Sequence, residues 1–293
     1  MKVFRTAKGI VLATSGKFYR VEQSWDQLIN RDNLHHYLQA LTASSAALAP
    51  RPAREMNAID AASWMEEILP PIGSQEVWAA GVTYLRSRDA RMEESKDSGG
   101  ADFYDKVYTA ERPELFFKSQ PHRVAAHGQP VYIRQDSAWN VPEPELTLFI
   151  NSKGIIQAYT IGNDMSSRSI EGENPLYLPQ AKVYERSAAL GPCLYVPETP
   201  IALTTVIRMT IVRDGKDVYN GEVPISQIKR SLTELAEWLY RETDFIYGCF
   251  LMTGTCLVPP DDFTLQEGDR VDIQIDNIGT LINTVSYKPS RQL

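Results

Sequence analysis

The stretch PEPELTLFINSKGIIQAYTIGND, residues 142–164, decides how this chain is expected to fold. Two apolar runs flank the short polar segment at 151–154. Apolar runs of this length on either side of a turn that contains Asn and Gly are typical of a β-hairpin. The sequence therefore predicts two antiparallel strands joined by a tight turn.

The pairing register decides which side chains share a face of this hairpin. With Ile150 opposite Ile155, Glu145 lies opposite Thr160, and residues directly opposite one another project from the same face. Three acidic side chains then project from one face at the open end of the hairpin: Glu143, Glu145 and Asp164. A register shift of two residues would preserve this arrangement, whereas a shift of one would send Asp164 to the opposite face.

Three carboxylates on a mostly apolar sheet repel one another and lose the hydration that stabilises their charge. A hard divalent cation offsets both effects, and Mg²⁺ prefers oxygen ligands at about 2.0–2.1 Å. Pro142 and Pro144 on either side of Glu143 stiffen the backbone and remove hydrogen-bond donors there. The cluster therefore predicts a Mg²⁺ site, and Mn²⁺ is an alternative because it accepts the same ligands. The other interpretation is that these acids end the strands and point into solvent.

Composition narrows the class of protein. The chain has 293 residues, with 30 Lys and Arg against 37 Asp and Glu and a formal net charge of -7. This balance argues against a nucleic-acid partner, because such proteins present a basic face. No apolar run reaches the roughly 18 residues of a membrane span, and the N-terminus lacks the apolar core of a signal peptide. The three cysteines have no disulfide or metal-site spacing. We therefore expect a cytoplasmic protein without a membrane partner.

The remaining pattern predicts two domains in an α+β fold that is mostly β. Residues 1–70 form a small N-terminal α+β domain in this interpretation, with short strands before a helix at about 24–47. Residues 71–293 are predicted to form a larger, β-rich domain. Helices in it are expected at about 86–97 and 226–242.

Several motifs resemble those of the fumarylacetoacetate hydrolase family. They occur in order over about residues 75–285: Pro-Glu-Pro-Glu-Leu (142–146), Gly-Asn-Asp-Met-Ser-Ser-Arg (162–168), Gln-Ala-Lys (180–182), Leu-Gly-Pro (190–192) and Asp-Asn-Ile-Gly-Thr-Leu (276–281). Within the family, Arg-Pro-Glu-Leu-Phe-Phe-Lys (112–118) and Glu-Asn-Pro-Leu-Tyr-Leu-Pro-Gln (173–180) are most similar to the dehydratases of 2-keto-3-deoxy-D-arabinonate. The resemblance implies a mixed β-roll catalytic domain, a Mg²⁺ site on the three acids, and a homodimer or homotetramer.

One position departs from the family pattern. The carbon–carbon hydrolases of the family carry a lid motif like Gly-x-Asn-Tyr-x-x-His, whose His belongs to a His–Glu pair that activates water. This chain reads Gly-Val-Thr-Tyr-Leu-Arg-Ser at 81–87, so Ser87 stands at the position of that His. Because hydrolysis then lacks its water activator, lyase chemistry is favoured.

The expected reaction is dehydration of a 2-keto-3-deoxy sugar acid, which in the arabinonate case gives 2,5-dioxopentanoate. A 2-keto acid can bind Mg²⁺ through its carboxylate and keto oxygens, and the metal then stabilises the enolate formed when a C3 proton leaves. Loss of the C4 hydroxyl follows. Two alternatives remain open. One is a C–C bond hydrolase, decarboxylase or isomerase acting on a diketo or 2-keto acid, and the other is a metal-stabilised binding protein without activity.

Two residues are candidates for proton transfer. Lys182 is expected beside the metal, where like-charge repulsion would lower its pKa and make it a base. If the carboxylates dominate instead, it stays charged and binds substrate oxygens. Glu114 is the candidate partner acid or base, since the Leu-Phe-Phe that follows indicates a half-buried carboxyl with a raised pKa. The other interpretations are a surface lysine and a solvated strand-edge glutamate.

Four further residues are candidate substrate contacts. Lys118 and Arg86 are suited to bind an anion, and Tyr84 to close over the ligand. Thr255 belongs to a Thr-Gly-Thr turn at 253–255 that offers hydroxyl and N–H donors to a carboxylate. Surface, packing and turn roles are the alternatives for these residues. The charge-rich stretch at 86–100 is a candidate lid that orders over the substrate, and the alternative is a solvated helix and loop.

Overall fold

The computed structural model describes residues 1–43, 52–86, 92 and 101–290, with the backbone alone for 101–104. Ser87 and most of the predicted helix and lid at 86–100 lie outside the described residues. The strands are β1 Lys2–Thr6, β2 Gly9–Thr14, β3 Lys17–Val21, β4 Arg54–Met56, β5 Glu76–Gly81, β6 Glu114–Ser119, β7 Val124–Ala125, β8 Val131–Ile133, β9 Asn140–Val141, β10 Pro144–Ile150, β11 Ile156–Asp164, β12 Ser166–Ser167, β13 Ala188–Tyr195, β14 Val206–Arg213, β15 Lys216–Pro224, β16 Cys249–Met252, β17 Arg270–Ile275 and β18 Gly279–Tyr287. The helices are α1 Trp25–Ile29, α2 Leu34–Thr42, α3 Ala58–Met65, α4 Ala101–Thr109, α5 Arg168–Glu173, α6 Leu178–Lys182 and α7 Leu232–Tyr240, with 3₁₀ turns at Pro121–Arg123, Pro175–Tyr177 and Ile225–Gln227.

Most of the strands form one large sheet. Its order is β4-β3-β2-β1-β13-β11-β10-β16-β5-β6, and β7 joins it by pairing with β13. A second sheet has the order β15-β14-β17-β18-β8. The mostly-β α+β fold predicted from the sequence is confirmed.

The hydrophobic core lies on both faces of the large sheet. On β10, Leu148 packs in the half of the core shared with the second sheet, whereas Phe149 packs in the half shared with α1 and α2. A strand that is buried on both faces carries apolar residues in succession instead of alternating them. This explains the continuous burial of β10 from Pro144 to Ile150.

The N-terminal strands continue the large sheet. Lys2 of β1 lies opposite Tyr195 of β13, and Val3 lies opposite Leu194. Strands β2, β3 and β4 then extend the sheet from β1. The division into domains at residue 70 stays a prediction, and one sheet runs through both segments.

Two predicted helices have different bounds in the structure. The helix expected at 24–47 is divided into α1 and α2, because Asn33 between them has φ 52°, in the left-handed region that ends helical hydrogen bonding. The helix expected at 226–242 is a 3₁₀ turn followed by α7. Ser231 caps α7 by accepting a hydrogen bond from the N–H of Glu234. The helical spacing of apolar residues indicated neither the break between α1 and α2 nor the start of α7.

The predicted hairpin register is wrong by two residues. Glu145 lies opposite Gly162 instead of Thr160, and Ile150 pairs with Ile156 instead of Ile155. The turn takes up one extra residue, since Asn151 closes it by donating its N–H to the Ile155 carbonyl at 3.0 Å. A bulge beside Ile150 takes up the second. Because the total shift toward the open end is two, Glu143, Glu145 and Asp164 keep their predicted common face.

Candidate active site

Three buried carboxylates meet at the end of β10 and β11 that lies away from the turn. The N–H of Glu143 donates to the Asp164 carbonyl at 3.2 Å, and the N–H of Asp164 donates to the Glu143 carbonyl at 2.9 Å. Glu143, Glu145 and Asp164 are only 3%, 2% and 1% exposed. One carboxylate oxygen from each lies within 4.8 Å of the others. The predicted convergence of the three acids, called the triad from here on, is therefore observed.

Glu145 is held by the backbone of another strand end. Its Oε2 accepts a hydrogen bond from the N–H of Gly254 at 2.6 Å. Gly254 has φ +94°, and a Cβ there would collide with Thr83, so the position requires glycine. Burial raises the pKa of Glu145 well above its usual range, and the neighbouring Asp164 and Glu143 carboxylates raise it further. The fold therefore disfavours the charged form of Glu145 unless positive charge is added.

Lys182 lies against the triad at the end of α6 and is 1% exposed. Its ammonium donates to Glu143 Oε2 at 2.5 Å and to Asp164 Oδ2 at 3.0 Å. It also donates to Ser166 Oγ at 2.5 Å, and the Phe116 ring lies 5.6 Å from Nζ. Lys182 is thus in the place expected from the sequence, in contact with two of the three carboxylates.

Lys118 approaches the triad from the edge strand β6. Its ammonium pairs with Asp164 Oδ1 at 2.5 Å and donates to the carbonyls of Met165 at 2.9 Å and Lys182 at 2.5 Å. β6 is four strands from β11 in the sheet order, which would be about 19 Å in a flat sheet at roughly 4.8 Å per strand. The large sheet therefore curls until β6 closes over the triad. A β-bulge in the pairing of β5 with β6 coincides with Lys118 and helps to aim it.

The charge of Lys118 is neutralised within the protein. Burial lowers the pKa of its ammonium, and the Asp164 carboxylate opposes that shift. The sequence predicted Lys118 as a contact for a substrate anion. In the structure its ammonium is paired with a carboxylate of the triad, and a direct contact with a substrate stays a prediction.

Sequence reasoning missed two charged residues of the site, Arg168 and Glu171 on α5. Arg168 donates from Nη2 to Glu143 Oε1 at 2.6 Å, and its Nε lies 3.9 Å from Glu171 Oε2. Glu171 Oε1 lies 3.5 Å from Lys182 Nζ, and both Arg168 and Glu171 are 2% exposed. Arg168 is the last residue of the Gly-Asn-Asp-Met-Ser-Ser-Arg motif. The signal for Glu171 was its spacing of three from Arg168, which puts the two on one face of a helix.

Glu114 begins β6 opposite Gly81 of β5. A Cβ at Gly81 would overlap the Glu114 carboxylate, so the glycine leaves room for that side chain. Glu114 and Phe116 share a face of β6 because side chains alternate. Since the ring of Phe116 lies 5.6 Å from Lys182 Nζ, Glu114 is on the face of β6 that is turned toward Lys182.

Tyr84 and Arg86, the other predicted substrate contacts, differ in exposure. Tyr84 is 1% exposed and packs in the core. Burial is the main cause that raises the pKa of its hydroxyl, and the nearby Cys256 and Glu145 raise it further. Arg86 is exposed and donates to the Val258 carbonyl at 3.4 Å.

The turn at 253–255 is bound to Glu145, and its role toward a substrate stays a prediction. The N–H of Gly254 binds the carboxylate of Glu145 within the protein, so it is engaged before any ligand arrives. Thr255 is 4% exposed, and its Oγ1 accepts the N–H of Leu257 at 3.3 Å. The hydroxyl proton of Thr255 is a donor that the turn can offer toward a ligand.

The triad fits a hard divalent cation. Octahedral ligands at about 2.1 Å from an ion lie at most about 4.2 Å apart, close to the 4.8 Å that bounds the three oxygens. All three donors are carboxylates, the ligands that Mg²⁺ and Mn²⁺ prefer. A dication would also offset the burial and the carboxylate repulsion that together raise the pKa of Glu145.

Lys118→Met is expected to lower the free energy of unfolding by about 3 kcal/mol, because removing one member of a buried ion pair leaves the other uncompensated. Asp164 keeps Lys182 at 3.0 Å, which places the loss at the lower end of the usual range. Urea unfolding of the metal-free protein measures it. Lys216→Met, at an exposed lysine, is the matched control, and equal stabilities of the two variants would contradict the prediction.

Most of the larger, β-rich segment matches one family of known proteins. Residues 77–286 match the family model described as fumarylacetoacetate (FAA) hydrolase C-terminal. The chain belongs to the fumarylacetoacetate hydrolase family. Within this family, a probable 2-keto-3-deoxyxylonate dehydratase of Haloferax volcanii is 46% identical to it over 242 residues, which are 82% of each chain.

Two further relatives in the fumarylacetoacetate hydrolase family are similar over most of their length. The 2-dehydro-3-deoxy-D-arabinonate dehydratase of Saccharolobus solfataricus is 41% identical over 225 residues, 75% of each chain. A solved structure of 2-keto-3-deoxy-D-arabinonate dehydratase complexed with magnesium and 2,5-dioxopentanoate has a TM-score of 0.82 at 32% identity, and the match covers 99% of this chain and 100% of that one. Among the described helices of this chain, none has the length and hydropathy that crossing a membrane requires.

Proposed function

We propose that this protein is a Mg²⁺-dependent dehydratase that converts a 2-keto-3-deoxypentonate, of the arabinonate or xylonate type, to 2,5-dioxopentanoate. The observation that carries the proposal is the buried triad in contact with Lys182. Relatives at 46% and 41% identity are named as dehydratases of such sugar acids, which supports this reaction over C–C hydrolysis, decarboxylation or isomerisation.

Glu143, Glu145 and Asp164 would hold the Mg²⁺. When bound, the ion supplies Lewis-acid polarisation of the substrate keto group. The same donors accept Mn²⁺, so that ion is proposed as a substitute. The fit rests on the spacing of the three oxygens within 4.8 Å.

The protein side chains supply the proton transfers. Dehydration removes a C3 proton and the C4 hydroxyl as water, and proton shifts from C5 then give the aldehyde. We assign acceptance of the C3 proton to Lys182, which takes it as the neutral amine after passing its own proton to a neighbouring carboxylate. Protonated Glu114 delivers a proton to the leaving hydroxyl, which departs as water. Lys182 is 1% exposed, so bulk water is excluded from the atom that moves the proton.

Substrate binding is assigned to the border of the site. Tyr84 and the hydroxyl of Thr255 are buried beside Glu145 and its Gly254 partner, where they could contact polar substrate oxygens. Arg86 is exposed and is proposed to meet the substrate carboxylate from the outside. Lys118 stays a proposed contact for a substrate anion, with its ammonium already paired with Asp164.

We further propose a homodimer or homotetramer in the cytoplasm. Cys193, Cys249 and Cys256 are buried and unbridged, which fits a reducing compartment. Light scattering during size-exclusion chromatography measures the assembly, and a monomer at micromolar concentration would reject that part of the proposal.

The test of the reaction is direct. Purified protein is incubated with Mg²⁺ and 2-keto-3-deoxypentonates, and the product is identified by NMR and mass spectrometry as 2,5-dioxopentanoate. EDTA and Glu143→Gln should each abolish product formation, whereas Glu237→Gln, at an exposed glutamate on α7, should not. Carbon dioxide or a C–C cleavage product in place of the aldehyde would reject the dehydratase assignment.

Mg²⁺ alone is expected to raise the melting temperature. A ligand at 100 times its Kd adds about 2.7 kcal/mol to the free energy of unfolding, which is about 5 °C at roughly 2 °C per kcal/mol for a chain of this size. The cause is relief of the repulsion around Glu145. Differential scanning fluorimetry with MgCl₂ measures the shift. An equal rise in NaCl of matched ionic strength would contradict a specific site.

A further inference from the structure

The ammonium of Lys182 lies between two kinds of carboxylate. Glu143 Oε2 at 2.5 Å and Asp164 Oδ2 at 3.0 Å belong to the triad. Glu171 Oε1 at 3.5 Å belongs to α5 and stands outside it. The two shortest of these ion pairs therefore use oxygen atoms of residues that would also hold a metal ion.

A divalent cation and Lys182 compete for these carboxylates. An ion at about 2.1 Å from the carboxylate oxygens occupies their lone pairs and repels an ammonium a few Å away. Lys182 is 1% exposed, so water does not replace the ion pairs that it loses. A buried ammonium without a partner is strongly disfavoured. Glu171 is already in place to accept it.

We propose that Glu171 is the carboxylate to which Lys182 shifts when a divalent cation occupies the triad, and that Glu171 thereby positions Lys182 over the substrate. The shift of Lys182 to Glu171 concerns metal binding alone. The positioning of Lys182 over the substrate rests on the proposed function. Glu171 acts through Lys182 and is a positioning residue.

The surroundings of Glu171 favour a fixed position. Arg168 links it to the triad, with Nε 3.9 Å from Glu171 Oε2 and Nη2 2.6 Å from Glu143 Oε1. Ser167 caps the start of α5 by accepting the N–H of Ile170 at 3.3 Å. A capped helix and a bridging guanidinium hold the Glu171 carboxylate near Lys182 while the ammonium changes partners.

The test is a double-mutant cycle on metal affinity, measured by titration calorimetry with Mg²⁺ or Mn²⁺ alone. Glu171→Gln is expected to raise the Kd about tenfold in the otherwise native protein, which is about 1.4 kcal/mol. Lys182→Met should lower the Kd, because the competing ammonium is gone. In the Lys182→Met protein, Glu171→Gln should change the Kd less than about twofold. Glu173→Gln removes an exposed charge from the same helix and is the matched control.

Two results would overturn the proposal. One is an unchanged Kd for Glu171→Gln in the native background. The other is an equal loss in both backgrounds, which would mean that Glu171 attracts the metal by its own charge without Lys182. Should Glu171→Gln fail to fold, Glu171→Asp runs the same cycle with a carboxylate one methylene shorter. It should raise the Kd about threefold when Lys182 is present and leave the Kd unchanged in the Lys182→Met protein.

Failure here and failure of the proposed function give different results. The cycle contains no sugar acid, so the expected coupling without turnover would reject the reaction and retain the shift of Lys182 to Glu171 on metal binding. Turnover without coupling would retain the reaction and reject the shift of Lys182 to Glu171. A protein that binds neither ion would overturn both. At saturating Mg²⁺, Glu171→Gln should also lower kcat with KM little changed, since the proton-transferring group is displaced and substrate binding is kept.

Discussion

Replacing Glu145 by Gln is expected to lower Mg²⁺-dependent turnover about 10³-fold and to leave the metal-free protein at least as stable as the native one. The loss corresponds to about 4 kcal/mol of transition-state stabilisation, the scale of a bound Lewis acid. Stability is retained because burial and the Asp164 and Glu143 carboxylates raise the pKa of Glu145. At pH 7 the unfolded chain ionises this group freely, so its charge favours unfolding, and Gln removes that charge while it still accepts the Gly254 N–H.

The measurements are kcat with saturating Mg²⁺, metal affinity by calorimetry, and urea unfolding in EDTA. Asp164→Asn is the informative contrast. It should lose turnover as well, but it should also lose stability, because Lys118 at 2.5 Å would lose its carboxylate partner and Lys182 at 3.0 Å would lose one of its three. A Glu145→Gln protein that unfolds as readily as Asp164→Asn, or that retains turnover, would contradict the assignment of Glu145 as a ligand held under electrostatic repulsion.

The alternation of side-chain direction along the two strands was enough to predict that the triad shares one face. The face on which a side chain projects depends only on whether its position is odd or even, so a register error of two residues left Glu143, Glu145 and Asp164 together. The exact register depended on the bulge beside Ile150 and on the turn closed by Asn151. Neither feature has a signature in the hydrophobic pattern.

The cations around the triad were harder to predict. Lys118 reaches Asp164 only because the large sheet curls, and curvature depends on the packing of all its strands. Arg168 and Glu171 lie on α5, a helix of six residues that is too short for apolar periodicity to reveal. Lys182 was placed by a family motif, since nothing in its local sequence separates it from a surface lysine.

Lys182→Met is expected to lower turnover by about 10² to 10⁴-fold, the usual contribution of a positioned acid or base, and to strengthen Mg²⁺ binding at the same time. Most substitutions at an active site weaken both. Here turnover and metal affinity change in opposite directions because Lys182 Nζ binds Glu143 Oε2 and Asp164 Oδ2. Both oxygens belong to residues assigned to the metal. Met keeps an unbranched, polarizable side chain beside the Phe116 ring, one heavy atom shorter than Lys, while it removes the charge.

Steady-state kinetics and calorimetry on one preparation test whether turnover falls while Mg²⁺ affinity rises. Lys182→Arg is the control for charge: it keeps a cation beside Glu143 and Asp164 but does not release a proton near neutral pH. It should therefore lose turnover without the gain in metal affinity. Weaker Mg²⁺ binding by Lys182→Met would mean that the lysine supports the metal site instead of competing with it. In that case the ion pairs of the metal-free structure would persist when the metal is bound, and the lysine would serve as a substrate-binding cation.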